Sequence, residues 1–137
     1  MGIRINLILV VCLLIISCTN NKNITNNKIQ AKMELMVLSN YSAEEKIISD
    51  STTVDQIKNT MKGLNWNEFH QAILSTDNGN WIEVGGNLNE DGLSVMYEEN
   101  GQQFVINKPP SSVDQMTKIL ISYFNGDGQY KKENEFE

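Results

Sequence analysis

The sequence has few of the residues that build metal sites and catalytic centres. It contains two cysteines, Cys12 and Cys18, and one histidine, His70. Because no cysteine follows Cys18, the rest of the chain has no thiol for a disulfide, and a lone histidine cannot complete a zinc site of the His/Cys type. No serine lies in a nucleophile-elbow motif, so no hydrolytic triad is evident. We interpret His70 as a partly exposed strand residue and predict a protein that is not an enzyme and has no cofactor.

Basic residues are also scarce. The chain has 137 residues, 17 of them acidic against 11 lysines and arginines, and its net charge is −6. Proteins that bind nucleic acid need a basic face to displace counterions from the phosphates. We therefore predict no nucleic-acid partner, and we expect any charged partner to be basic. The length fits a single domain, and a hydrophobic content of 40% with only two prolines excludes collagen-like and fully disordered classes.

Long hydrophobic runs are missing except for residues 7–16, which follow Arg4. Ten apolar residues are too few for a membrane-spanning helix, which needs about 20, but they suit the core of a secretory signal. The run ends in Ile15-Ile16-Ser17-Cys18, which resembles the bacterial lipobox. The resemblance implies that residues 1–17 are a lipoprotein signal peptide and that Cys18 carries lipid. The alternative is an ordinary signal peptide with a chance cysteine.

Residues 18–30 are predicted to form a lipid-anchored tether. Five of the twelve residues from Thr19 to Gln30 are asparagine, and this composition cannot bury a hydrophobic core. The lipid on Cys18 would attach the chain to a membrane of the bacterial cell envelope. Thr19 in place of aspartate is compatible with the outer membrane, whereas the choice between its periplasmic and surface faces stays open.

Residues 31–137 are predicted to form one α+β domain. A first strand over residues 32–39 places Met33, Leu35 and Val37 on one face. Thr53 and Gln56 form a capping box at the start of a helix. A second helix begins with a similar box, Ser112 to Gln115, and ends at Asn125-Gly126.

Two hairpins are predicted between the helices, each with an Asn-Gly turn. A turn at Asn78-Gly79 would pair Ile73 with Val84 and Leu74 with Glu83. A turn at Asn100-Gly101 would pair apolar residues on both faces: Tyr97 with Phe104, Val95 with Ile106 and Met96 with Val105. The predicted fold is thus an antiparallel sheet of about five strands, in two hairpins plus the first strand, packed on one face by two helices. The core is expected to contain Val95, Tyr97, Phe104, Ile106, Leu120 and Phe124.

Acidic residues dominate the second half of the domain. Between Glu68 and Asp127 there are nine acids and two lysines. Such a run is often only a solvated face, but the uncovered face of the sheet would combine these acids with apolar side chains, as a binder of a basic protein does. The candidate contact residues are Trp81, Glu83, Glu98, Glu99 and Asp127. The loop 87–92 is interpreted as an Asx-rich turn rather than a calcium site, because it lacks the EF-hand spacing.

Three segments together resemble immunity protein family 1 of bacterial polymorphic-toxin systems. They are Trp81-Ile82-Glu83-Val84-Gly85-Gly86, Gly92-Leu93-Ser94-Val95-Met96-Tyr97, and Pro109-Pro110 before a helix that ends in Tyr123-Phe124-Asn125-Gly126-Asp127. The resemblance covers residues 69–136 and implies a small α+β protein that binds a cognate toxin domain and blocks its active site. Toxins met by this family include nucleic-acid-modifying enzymes, many of them basic.

The lipid anchor departs from the family pattern, since most relatives would be cytosolic. The resulting prediction is a lipid-anchored immunity protein that neutralises a cognate basic toxin by stoichiometric binding. The alternative is a non-enzymatic envelope lipoprotein that binds a carbohydrate or an assembly partner.

Overall fold

The computed structural model describes residues 32–90 and 92–137. The predicted signal peptide, the tether and Cys18 lie outside the described residues. The described part has six strands and three helices: β1 (Met33–Ser39), β2 (Glu44–Ser49), α1 (Val54–Gly63), β3 (His70–Thr76), β4 (Trp81–Asn87), β5 (Gly92–Glu99), β6 (Gln102–Val105), α2 (Val113–Asn125) and α3 (Gln129–Glu133). The α+β fold class is confirmed, with one strand and one short helix more than the sequence predicted.

The strands form one sheet in the order β2-β1-β3-β4-β5-β6, and every neighbouring pair is antiparallel. Side chains alternate between the two faces, and one face is buried under α1 and α2. We call this the covered face, and the opposite one the open face. The covered face supplies the sheet side of the core, which includes Leu35, Val37, Ala72, Leu74, Ile82, Val84, Val95 and Tyr97.

Both long helices begin where the capping residues predict. In α1 the Thr53 side chain accepts from the Gln56 N–H, and the Gln56 side chain accepts from the Thr53 N–H. In α2 the reciprocal half of the predicted box is wrong. Ser112 accepts from the Gln115 N–H, but the Gln115 side chain bonds the N–H of Ser111 at 2.9 Å. Gly126 ends α2 in the left-handed conformation, as predicted.

The register of the first hairpin differs from the prediction by one residue. The predicted two-residue turn at 78–79 pairs Ile73 with Val84 and Leu74 with Glu83. In the structure Ile73 lies opposite Glu83, and Leu74 lies opposite the preceding residue of β4. The correction places Ile73 and Glu83 together on the open face, while Leu74 and Val84 both point into the core.

A three-residue turn explains this register. The Gly79 N–H donates to Thr76 O at 3.0 Å, and the Thr76 N–H donates to Asn80 O at 2.9 Å. Gly79 has a positive φ of 87°, whereas the φ of Asn78 is not positive. This is the pattern of a type I turn followed by a left-handed glycine, which competes with the two-residue turn for the same Asn-Gly sequence. One extra loop residue moves the pairing by one position.

The second hairpin has the predicted register. Tyr97 lies opposite Phe104 and Met96 opposite Val105, and the Ile106 N–H donates to Val95 O at 2.9 Å. Asn100 and Gly101 both have positive φ, as a two-residue turn of this kind requires. The predicted core is confirmed for five of its members, and Phe104 packs against it while partly buried.

Two elements were missed by the sequence prediction. β2 has the sequence EEKIIS, which does not alternate between apolar and polar residues. It is the edge strand of the sheet, and most of its side chains are exposed on either face. The C-terminal tail was seen only as a charged segment with two aromatic anchors. It forms α3, buries Tyr130, and pairs with the residue directly after β6 through an isolated bridge between Ile106 and Phe136.

Among the residues that the structure describes, no helix has the length and the apolar content needed to cross a membrane.

Candidate functional site

The open face carries one continuous row of side chains across all six strands. Successive pairings join the members of this row, which we call the central row: Ile47, Met36, Ile73, Glu83, Met96 and Val105. Five of the six are apolar, and none is buried. Its two ends are the most accessible, with Ile47 56% and Val105 44% exposed. An apolar row left accessible across a whole sheet is typical of an interaction surface.

A second row extends this surface at its centre. Trp81 lies between Ser75 of β3 and Glu98 of β5, and its side chain is half-buried. The Glu98 carboxylate accepts a hydrogen bond from Gln103 Nε2 at 3.2 Å. Trp81 is therefore flanked by carboxylates, with Glu98 opposite it and Glu83 two residues along its own strand.

The charged strand residues of the open face have one sign. By the alternation of the strands, four carboxylates point to this face: those of Glu34, Glu45, Glu83 and Glu98. No lysine of the six described strands points there, since the one strand lysine, Lys46, lies opposite the core residue Val37. The lysines of the helices lie on the other side of the sheet. A surface with this composition attracts a basic partner and repels an acidic one.

Glu83 is held in place by a short chain of hydrogen bonds. Gln71 Nε2 donates to Glu83 Oε1 at 2.5 Å, and Ser42 Oγ donates to Gln71 Oε1 at 3.1 Å. Gly85 makes room for this arrangement, because a Cβ there would lie 2.9 Å from Gln71 Cγ. The carboxylate is thus fixed at the middle of an apolar row, which lowers the conformational entropy lost when a partner binds it.

Glu99 does not lie on this surface. It follows Tyr97 on the covered-face side of β5 and forms an ion pair with Lys131 of α3 at 2.6 Å. The Lys131 Nζ also lies 4.8 Å from the centre of the Tyr97 ring. These contacts hold α3 against β5, so Glu99 has a structural role.

Asp127 is also separate from the open face. It lies between α2 and α3, where its Oδ1 accepts hydrogen bonds from Ser122 Oγ at 2.5 Å and from the Gln129 N–H at 2.9 Å. A carboxylate that accepts a backbone N–H at the first turn of a helix stabilises that helix end. Of the five predicted contact residues, the structure therefore brings together Trp81, Glu83 and Glu98.

His70 is buried rather than partly exposed, with only 8% of its surface accessible. The register of β1 and β3 places it opposite Ser39, and Ser39 Oγ lies 2.8 Å from His70 Nδ1. The edge of the ring faces Trp66 at 6.0 Å. Its Nε2 has no hydrogen-bond partner among the described residues. The site is a packed corner of the core, since the loop after α1 closes over it.

The loop between β1 and β2 was missed by sequence reasoning. Three consecutive residues that are not glycine, Asn40, Tyr41 and Ser42, have positive φ, a conformation that is strained for L-residues. Tyr41 is 65% exposed and stacks on Phe69 with ring centres 4.4 Å apart. Asn40 is the residue type that tolerates this conformation best, and it is the one local signal that could have indicated the turn.

No group of three His, Asp or Glu side chains in residues 32–90 and 92–137 is arranged to hold a metal ion. Comparison with known proteins finds no matching family model, no matching curated protein and no matching solved structure.

Proposed function

We propose that this chain is a lipid-anchored immunity protein, which binds a basic toxin domain through the open face and neutralises it stoichiometrically. The observation that carries the proposal is the composition of that face. It combines an accessible apolar row with four carboxylates and has no strand lysine.

The geometry favours a partner with a basic side chain at the centre of its contact surface. Glu83 has Ile73 and Met96 as its cross-strand neighbours, so a docked partner would exclude water around the carboxylate. A charge pair in such a place is worth more than at an exposed rim. Trp81 beside it supplies an aromatic surface of the kind that anchors interfaces and can stack on a guanidinium group.

Inhibition by occlusion needs no catalytic residue in the inhibitor. A toxin that acts on nucleic acid must have a basic active-site rim, because its substrate is a polyanion. An acidic surface can cover that rim and prevent access of the substrate, and complementary charge speeds the association. The resemblance to immunity protein family 1 supports the same role.

The direct test begins with the neighbouring genes: if one encodes a large exported protein, its C-terminal domain is expressed with and without this chain. We expect that domain to be toxic alone, and co-expression of the full chain to restore growth. In vitro, we expect a one-to-one complex whose affinity falls as salt is raised. Toxicity that the chain does not relieve, together with no complex by calorimetry, would refute the proposal.

The site is tested with two isosteric substitutions. Glu83→Gln keeps the shape of the side chain but removes its charge, and we expect an affinity loss of about 2–5 kcal/mol if it meets a desolvated basic group. Glu133→Gln, on the exposed surface of α3, is the matched control and should change the affinity by less than about 0.5 kcal/mol. Equal effects of the two variants would mean that only net charge matters and that the open face is not the contact.

One observation favours the alternative function, the binding of a carbohydrate. The exposed Tyr41 ring, backed by Phe69, lies beside Asn67, Glu68 and Glu90 around a shallow cavity. Aromatic rings flanked by amides and carboxylates can also stack on sugars. Titration of the full chain with soluble peptidoglycan fragments, compared with Tyr41→Ala, separates the two functions: saturable binding that this variant abolishes would support the alternative.

A further inference from the structure

The two edge strands of the sheet differ in whether their outward backbone groups are covered. At one edge, the C-terminal residues cover β6: the Val105 N–H donates to Glu137 O at 2.8 Å, and the Glu137 N–H donates to Val105 O at 3.0 Å. The Asn107 N–H continues the pairing to Glu135 O at 2.9 Å. At the other edge, β2 has no neighbouring strand within the described residues. An uncovered edge is a template for pairing with another chain.

The hydrogen-bonding groups that β2 presents outward can be identified from its pairing. Successive residues of a strand point their backbone groups to opposite sides. The Thr52 N–H donates to Met33 O at 2.9 Å, so the odd-numbered residues of β1 point their backbone N–H and C=O groups toward β2. Val37 is one of these residues and lies opposite Lys46. The backbone groups of Lys46 therefore point inward, toward β1. The intervening residues Glu45 and Ile47 therefore point their N–H and C=O groups away from the sheet.

The same two residues also belong to the open face. Ile47 is the end of the central row and lies opposite Met36, while Glu45 lies opposite Leu38. A strand added beside β2 would therefore continue the open face outward, with an apolar side chain next to Ile47 and a basic one next to Glu45. Opposite charges and apolar pairs are the favourable cross-strand neighbours in such a position.

The hairpin that presents this edge is fixed in place. The stack of Tyr41 on Phe69 and the hydrogen bond from Ser42 to Gln71 tie the β1–β2 loop to the chain around β3. At the other end, the Lys32 Nζ lies 3.3 Å from the Asp50 carboxylate. A partner strand therefore meets an edge that is already ordered, which reduces the entropy lost on pairing.

We infer that β2 is the docking edge for an extended strand of the basic toxin domain, so that the contact runs from this edge across the open face to Trp81. This inference rests on the proposed function and specifies how the same partner is bound. Main-chain hydrogen bonds to Glu45 and Ile47 would supply affinity, and the side chains of the open face would supply specificity.

A second copy of this chain is a poorer occupant of the edge. Three symmetric antiparallel registers use the outward groups of β2. Centred on Lys46, the pairing sets lysine against lysine; centred on Glu45, it sets glutamate against glutamate. Centred on Ile47, it sets Glu44 against Asp50. Each register places at least one like-charged pair opposite each other, which is destabilising, although the register centred on Glu45 also sets Glu44 against Lys46. Two copies that each carry a net charge of −6 repel one another as well, and a basic partner does not meet this repulsion.

Hydrogen exchange of single amides tests the inference directly. The probe is the C-terminal domain that the growth test above identifies as the toxin, and the sample is the full chain, free and in complex. We expect the amides of Glu45 and Ile47 to exchange quickly in the free chain and at least about a hundredfold more slowly in the complex. The Lys46 amide, which bonds to β1, should be slow in both states and serves as the internal control.

Two substitutions at one position separate the backbone from the side chain. Glu45→Pro removes the outward N–H but none of the hydrogen bonds to β1, and a proline is tolerated on an edge strand in this orientation. We expect it to weaken toxin-domain binding about tenfold, because a hydrogen bond and the fit of the added strand are both lost. Glu45→Ala keeps the N–H, so it should weaken binding less and mainly at low salt. Thermal melting of both variants checks that the fold is kept.

The outcomes distinguish this inference from the proposed function. If the complex forms and requires Glu83, but the Glu45 and Ile47 amides stay unprotected, the docking edge is wrong and the proposed function stands. If no complex forms, both are wrong. Slow exchange of these amides in the free chain would mean that another part of the chain or a second copy covers the edge, and this also overturns the inference. The hydrogen-exchange measurement uses the unaltered chain, so it tests the docking edge even if the Glu45→Pro variant does not fold.

Discussion

Gln71 and Glu83 are joined across two strands of the open face, where Gln71 Nε2 donates to Glu83 Oε1 at 2.5 Å. The two residues are diagonal neighbours, since Gln71 lies opposite Gly85 and Glu83 lies opposite Ile73. The glutamine reaches the carboxylate by lying across Gly85. The position of the central carboxylate thus depends on a missing side chain two residues away.

Gly85→Ala is expected to destabilise the domain and displace Gln71. The new Cβ would lie 2.9 Å from Gln71 Cγ and 3.2 Å from His70 O, and crowding of this kind costs about 1–3 kcal/mol. Urea denaturation measures the loss. Gly63→Ala is the control, because its Cβ meets nothing within 4 Å and alanine is preferred in a helix by about 0.5–1 kcal/mol. A Gly85→Ala protein as stable as the original would contradict the role of this glycine.

Phe124→Ala is expected to cost about 3–5 kcal/mol, because it leaves a cavity in the core. Phe124 is 6% exposed. Phe104→Ala should cost less, since Phe104 is only partly buried and its main contact is the stack on Tyr97 at 4.9 Å. Denaturant unfolding of the two variants gives the order. The prediction fails if Phe104→Ala is the more damaging change or if the second hairpin has the fastest-exchanging amides of the domain.

Stability is expected to fall between pH 10 and pH 12 because of Tyr123. Burial of the ring, with the nearby Tyr130 and Glu99, raises the pKa of the Tyr123 hydroxyl to about 12 from 10.0. The unfolded chain therefore loses this proton at lower pH than the folded chain, so the stabilisation present below pH 10 disappears as the pH rises through the folded pKa. Urea midpoints across this range measure the fall. Tyr123→Phe should make it shallower, and an unchanged slope would contradict the assignment.

Asp127→Ala is expected to destabilise the C-terminal region without weakening toxin binding. It removes the acceptor for the Gln129 N–H and for Ser122 Oγ, and the loss of such a hydrogen bond typically costs about 0.5–1.5 kcal/mol. Denaturation and calorimetry on the same variant give both quantities. If the variant binds the toxin more weakly but is as stable as the original, Asp127 belongs to the contact surface, as the sequence analysis predicted.

Cys18→Ala is expected to leave the protein unprocessed or free of the membrane, since Cys18 is the predicted lipid acceptor. Metabolic labelling with a fatty-acid analogue, followed by fractionation of the envelope, measures both effects. Ser17→Ala is a matched control, because alanine is also a small residue before the cysteine and should leave labelling intact. Equal labelling of the cysteine variant would end the lipoprotein prediction.

Part of the candidate site could be predicted from the sequence, because strand alternation is a local property. Trp81 and Glu83 differ by two positions and must share a face, as must Met96 and Glu98. The pairing of β4 with β5 then brings the two pairs together on one face. The same alternation puts Glu99 on the face opposite to Glu98, so its inclusion among the contact residues was wrong on local grounds, whereas Asp127 lies outside the strands and could not be placed in this way. The contacts of these two carboxylates, with Lys131 and with Ser122, involve helices that pack on the opposite side and could not be read from the local pattern.

The sequence by itself determined the alternation of the strands, the capped start of α1, the end of α2 and the register of the second hairpin. Each of these follows from residues within a few positions of one another, whose conformational preferences need no distant partner. The tertiary structure alone decided that β1 lies between β2 and β3, and so that Ile47 and Met36 join Ile73 and Glu83 in one row. Strand order depends on contacts between residues far apart in the chain, and short-range patterns carry no information about which of those contacts form.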